Sequence, residues 1–121
     1  MGLFSATEVD TDEIARRYAA LLLDGEEVLI AFKTVRDIAF LTDRRLCLVN
    51  IQGWVGKKVS IQSIPYRSIT RFSLETAGTF DLEADMVFWL AGAAQPLEIK
   101  IGRGSNLTMI QQVLAQGILG R

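Results

Sequence analysis

Apolar residues change their spacing twice along the chain. Ile14, Tyr18, Leu21 and Leu22 recur at helical intervals, which predicts one amphipathic helix over residues 11–23. Asp10 stands where a cap belongs and Glu13 follows three residues later, the spacing of a capping box. Asp24-Gly25 supplies the stop. From Glu26 the period falls to two. Alternation through Val28-Ile30-Phe32, Ile38-Phe40, residues 45–50, Val59-Ile61, Thr70-Phe72-Leu74, Leu82 to Leu90 and Leu97-Ile99-Ile101 predicts seven short strands within residues 26–101. Turn residues lie between them: Asp43-Arg44, Gly53 and Gly56, Gly78, and Gly92. Pro65 ends the fourth strand, because proline has no N–H for the ladder. The connections are too short for crossovers, so the strands are expected to be antiparallel neighbours. Gly102-Arg103-Gly104 reads as a hinge into a last helix over residues 105–119, capped by Ser105 or Asn106. Leu107, Ile110, Val113 and Leu114 form its apolar stripe, and Gly117 weakens it near its end.

The early strands alternate less cleanly. Leu29 and Ala31, Ala39 and Leu41, and residues 46–49 put apolar groups on both faces. A strand facing water on one side carries polar residues there. Either the first helix covers that outer face, or another subunit does.

With 121 residues, one domain spanning 1–121 is expected. A chain of this length buries roughly 65% of its unfolded surface, enough for a core without metal or disulfide. Half the residues are hydrophobic and mean hydropathy is +0.26, an excess that points to apolar surface covered by a further subunit. Cys47 stands alone, so no internal disulfide can form and a reducing compartment, the cytoplasm, is expected. Residues 1–10 hold no basic residue, which argues against a secretory leader. Thirteen basic and fourteen acidic residues give a net charge of −1, without the basic excess of a nucleic-acid binder.

Catalytic chemistry finds little footing. No histidine is present, which removes the commonest general base and the Ser-His and Cys-His pairs. Cys47 lies mid-strand and reads as a small core residue. Asp81, Glu83 and Asp85 alternate along one strand face, about 6.6 Å apart by strand rise. They are a weak metal candidate; the same pattern keeps a strand soluble and discourages edge pairing. No enzyme activity, metal or cofactor is expected.

Four runs, Phe40-Leu-Thr-Asp-Arg-Arg-Leu46, Gln52-Gly-Trp-Val-Gly-Lys-Lys58, Ser63-Ile-Pro-Tyr-Arg-Ser-Ile69 and Phe72-Ser-Leu-Glu-Thr-Ala-Gly78, together resemble the bacterial pleckstrin-homology domain family. They span residues 40–78, and the looser strand-and-helix pattern fits from Asp24 to Leu119. The resemblance implies a mostly β fold, a seven-stranded antiparallel barrel capped by a C-terminal helix, here with an extra N-terminal helix. It also implies homo-oligomeric rings and no catalytic residues.

Counting strand ends places Lys33 and Arg36 at the same end of such a barrel as Trp54, Lys57 and Lys58. Arg44 and Arg45 lie at the other, about 17 Å away along a five-residue strand. The first end is the one at which eukaryotic pleckstrin-homology domains bind phosphoinositides. Four cations reach only the low edge of the 4–8 that membrane recognition usually needs. Trp54 either anchors at a partner or folds back over the barrel mouth. The leading expectation is a homo-oligomeric scaffold for protein–protein interaction. The alternative is a peripheral adaptor that binds anionic membrane headgroups through this rim.

Overall fold

The computed structural model describes residues 6–53, 58–76, 83–102 and 105–120. Trp54, Lys57, Asp81, the turn at Gly78 and most of the Gly102–Gly104 hinge lie outside the described residues. All seven predicted strands are present: β2 (Val28–Lys33), β3 (Ile38–Thr42), β4 (Arg45–Gln52), β5 (Lys58–Pro65), β6 (Ile69–Thr76), β7 (Ala84–Leu90) and β8 (Leu97–Ile101). A further short strand, β1 (Thr7–Val9), precedes them. Two antiparallel sheets result, one in the order β1-β2-β3-β4-β5 and one in the order β6-β7-β8. Ala6 joins them: its N–H donates to the Lys100 carbonyl and its own carbonyl accepts from the Gly102 N–H, both at 2.8 Å.

The first helix is shorter than its periodicity suggests. α1 runs Thr11–Arg17, and a 3₁₀ turn follows at Ala19–Leu21. The Asp10 carboxylate caps α1 by accepting from the Asp12 N–H at 3.0 Å. The helix stops at Tyr18, whose ring stacks on Phe40 with centroids 5.7 Å apart. Packing of Tyr18 and Leu22 on the sheet overrides the helical period there.

The mixed strand patterns are explained by two apolar layers. Ile30, Phe32, Leu41, Leu46, Leu48 and Ile64 face inward to Met86, Phe88 and Ile101 of the other sheet. Val28, Ala31, Ile38, Phe40, Cys47 and Val49 form an outer layer, and Ile14 of α1 packs onto it. The first helix therefore covers much of the outer face. α2 (Leu107–Leu119) starts at Asn106, whose side chain accepts from the Met109 N–H at 3.0 Å. Its Leu107, Ile110 and Leu114 are buried in the inner layer.

Candidate functional site

The β2–β3 turn is held by the Thr34 N–H, which donates to the Asp37 carbonyl at 2.9 Å. It is also tied to the β4–β5 connection. The Arg36 guanidinium donates to the Gly53 carbonyl, and the Ile51 N–H donates to Asp37 Oδ1 at 3.3 Å. The two loops therefore share one end of the molecule, as the count of strand ends requires. The described cations there do not converge. Lys33 pairs with Ile38 across the ladder and so lies on the outer face, Arg36 is engaged by Gly53, and Lys58 lies opposite Gln52. Asp43-Arg44 turns the chain at the other end of β3, where Asp43 accepts from the Glu27 N–H.

Of the acidic strand face, Glu83 precedes β7 and Asp85 lies within it. Asp85 is engaged by the Lys100 ammonium at 3.0 Å. The hydrogen bond to Asp85 raises the ammonium's pKa above its ordinary value. Among the described residues no group of three metal-ligating side chains comes together. Cys47 is buried, and burial pushes its thiol pKa up, so it stays protonated.

Two features were not anticipated from the pattern. One is a cavity of about 300 Å³ where the sheets part, near the β2–β3 turn. Phe32, Ala39 and Leu48 line it from one sheet, Leu97 and Ile99 from the other. Asn50 and Gln62 also line it. They fall at the inward register of β4 and β5, where Leu46 and Leu48 precede Asn50 and Ile64 follows Gln62 as core residues. That break from apolar to polar on one face was the readable signal. The space itself follows from Ala39, a small residue opposite both Phe32 and Leu48.

The second feature is β5, the outermost strand of its sheet. Ile61 pairs with Val49 and Val59 with Ile51, so both extend the outer apolar layer beyond the reach of α1. They remain 46% and 51% exposed. At the adjacent turn Val35 is 80% exposed.

The family model "Bacterial PH domain" matches residues 1–118. The uncharacterized protein YjqA of Bacillus subtilis (strain 168) is 46% identical over 114 residues, which cover 93% of this chain and 91% of the relative. The uncharacterized protein YozO of the same organism is 28% identical over 116 residues, 96% of each. Among solved structures, a DUF1696 family protein with a pleckstrin-homology domain from Shewanella loihica PV-4 aligns with a TM-score of 0.83 and 38% identity. The alignment covers 94% of this chain and 97% of that one. A pleckstrin homology domain from Shewanella amazonensis SB2B aligns with a TM-score of 0.71 and 43% identity, covering 99% and 95%.

Proposed function

The chain belongs to the bacterial PH domain family, and from that premise we propose that it is a non-catalytic, homo-oligomeric scaffold for protein–protein interaction. The observation that carries this reading is the β5 edge. Sheet edges are ordinarily protected by charges, proline or a covering element. β5 has Lys58 only at its start and Pro65 only at its end, with Val59 and Ile61 exposed between them. Strand β6 ends the other sheet. Two unlike edges on one chain suit a head-to-tail contact, which closes into a ring when the rotation permits. Burying Val59 and Ile61 between copies removes apolar surface from water at about 25 cal/mol per Å². A single cysteine, Cys47, supports a reducing compartment such as the cytoplasm for this scaffold. Light-scattering mass at micromolar concentration tests the proposal: a multiple of the 13.4 kDa chain is expected, and a strict monomer would sink it.

A second reading, a peripheral adaptor on an anionic membrane surface, draws on a separate observation. Val35, 80% exposed, sits at a turn flanked by exposed Lys33 and Arg36, an apolar tip between cations. Such a tip enters the headgroup boundary while the cations meet lipid phosphates. Co-sedimentation with phosphatidylserine vesicles tests it: loss of binding as salt rises is the expected result.

A further inference from the structure

Helix α2 buries one face and leaves the other without the charges that a solvent-facing helix ordinarily carries. Leu107, Ile110 and Leu114 are buried in the inner layer. Met109, Gln112, Gln116 and Leu119 lie on the opposite side and are exposed. Residues 105–120 include no Asp, Glu, Lys or Arg, although such residues make up 22% of the chain. A face of this kind offers no cation to lipid phosphates and no charge for a charged protein to pair with. It also holds nothing that repels a copy of itself.

The spacing narrows the choice of occupant. Met109, Gln112, Gln116 and Leu119 are separated by three, four and three residues, the interval of a helix–helix seam. Leu29 of β2 and Val113 border the groove along this stripe. The stripe also has the same character read from either end: an apolar residue, two amides, an apolar residue. Turned about a two-fold axis near Leu114, Met109 of each copy meets Leu119 of the other, and Gln112 meets Gln116. The two side-chain amides have no hydrogen-bond partner among the described residues. Each can donate to and accept from its counterpart. Polar groups in a seam cost stability and fix its register. The antiparallel direction follows from the helix dipoles, which attract when opposed, with no charged side chain on the helix to offset them.

We infer that the outer face of α2 is a docking surface for a second copy of this chain, paired antiparallel across a two-fold axis. The contact is separate from the β5 edge. A head-to-tail edge contact builds a ring, whereas this one joins two chains, or two rings, face to face. Thirteen residues of helix are about 20 Å long, so the surface is small and a dissociation constant on the order of 100 µM is expected. An isolated pair therefore separates at micromolar concentration, while repeated contacts between two rings reinforce one another.

The test is directed disulfide formation in the full chain. Gln112→Cys and Gln116→Cys are made separately, one of them isotopically labelled, and both carry Ile61→Lys so that the β5 contact takes no part. Native Cys47 is buried and out of reach. The two variants are mixed at about 200 µM and oxidised with copper phenanthroline, and the linked dimers are weighed by mass spectrometry. The mixed dimer is expected to exceed either self-linked dimer at least about fivefold, against about twofold for random encounter. Sedimentation of Ile61→Lys alone over about 10–500 µM should show a reversible monomer–dimer equilibrium. Adding Leu119→Lys, at an exposed position, should weaken it at least about tenfold. A mixed-to-self ratio no better than random, preferential linking of Gln112→Cys to itself, or an Ile61→Lys chain that stays monomeric throughout would each overturn the inference. The β5 reading is judged by the mass of the parent chain at micromolar concentration, so the two can fail independently.

Discussion

Arg45 grips Glu26 with two parallel hydrogen bonds, Nε to Oε2 at 2.8 Å and Nη2 to Oε1 at 2.7 Å. The same guanidinium donates to the Leu21 carbonyl and to Ser63, while Glu26 also accepts from the Leu23 N–H and the Thr42 hydroxyl. One ion pair thus fastens the segment after α1 to β3, β4 and β5. Glu26 is buried, and its charge persists there only because every carboxylate lone pair is met.

This pair makes stability acid-sensitive in a defined window. The hydrogen bond from Arg45 is the main cause that lowers the Glu26 pKa from 4.5 to about 2, against the opposing effect of burial. A carboxyl whose pKa is depressed in the folded state stabilises fully above its unfolded value and loses that contribution as pH falls through the folded one. The contribution, about 3 kcal/mol, is therefore expected to be present at pH 5 and above and to drain away between about pH 4.5 and pH 2. Glu26→Gln should cost about 2–4 kcal/mol at pH 7, since it leaves a partly buried guanidinium without its counter-charge. It should also flatten this limb of the stability–pH curve. Urea unfolding across pH 2–7 would check both; a variant with the wild-type slope would contradict the assignment.

Gly117 and Tyr66 form a second coupled pair. A Cβ on Gly117 would stand 2.7 Å from Tyr66 Cε2 and 2.9 Å from Cζ, too close for any real contact. The ring cannot easily yield, because its hydroxyl donates to the Thr42 carbonyl. Burial also raises the Tyr66 pKa, so the donor keeps its proton. Alanine improves an ordinary helix by about 1 kcal/mol over glycine. Here Gly117→Ala is expected to destabilise by about 1–3 kcal/mol, the cost of overpacking. Thermal unfolding of the single variant and of Gly117→Ala with Tyr66→Leu would check this; the smaller side chain should recover part of the loss.

The strands, most of their neighbour pairings and the closing helix were legible because each is set by local alternation and turn chemistry; the exception is β5 and β6, expected as neighbours but placed at the ends of separate sheets. What escaped is set by partners distant in sequence. Strand β1 has three residues and little period of its own; its pairing with residues 31–33 and the Ala6–Ile101 bridge define it. Glu26, where the strand pattern begins after Asp24-Gly25, carries no local sign of its partners; the β2–β3 register brings Thr42 and Arg45 to it. Gly117 reads as a weak point in a helix until Tyr66 is seen against it. Strand counting puts the two loops at one end, but it does not say which face Lys33 takes or that Arg36 is engaged by a carbonyl, so the convergence of cations it suggested is not met among the described residues.

The membrane reading predicts a sharp result at one exposed residue. Val35→Asp replaces the apolar tip by an anion between Lys33 and Arg36 without touching the core, since Val35 is 80% exposed. Vesicle binding should fall at least about tenfold, through lost apolar insertion and repulsion from anionic lipid. Stability should change by no more than about 0.5 kcal/mol. Flotation with phosphatidylserine vesicles beside a thermal melt would check this; unchanged binding would remove Val35 from any lipid contact.

The assembly reading is tested where the β5 edge is apolar. Val59 and Ile61 both lie on the outer face of the last strand, so a lysine at either position projects into the proposed contact and not into the inner core. For the isolated chain, Val59→Lys and Ile61→Lys are expected to shift stability by no more than about 1 kcal/mol, because neither side chain is buried. In an assembly each places an ammonium in a desolvated seam once per interface, and the penalty repeats around a closed ring. Light scattering should then report the 13.4 kDa monomer for both variants while circular dichroism stays that of the parent. Ile61→Val, which keeps a β-branched apolar surface, should retain the assembly. If the lysine variants assemble as the parent does, the contact lies elsewhere, and the exposed edge would need a different partner to explain it.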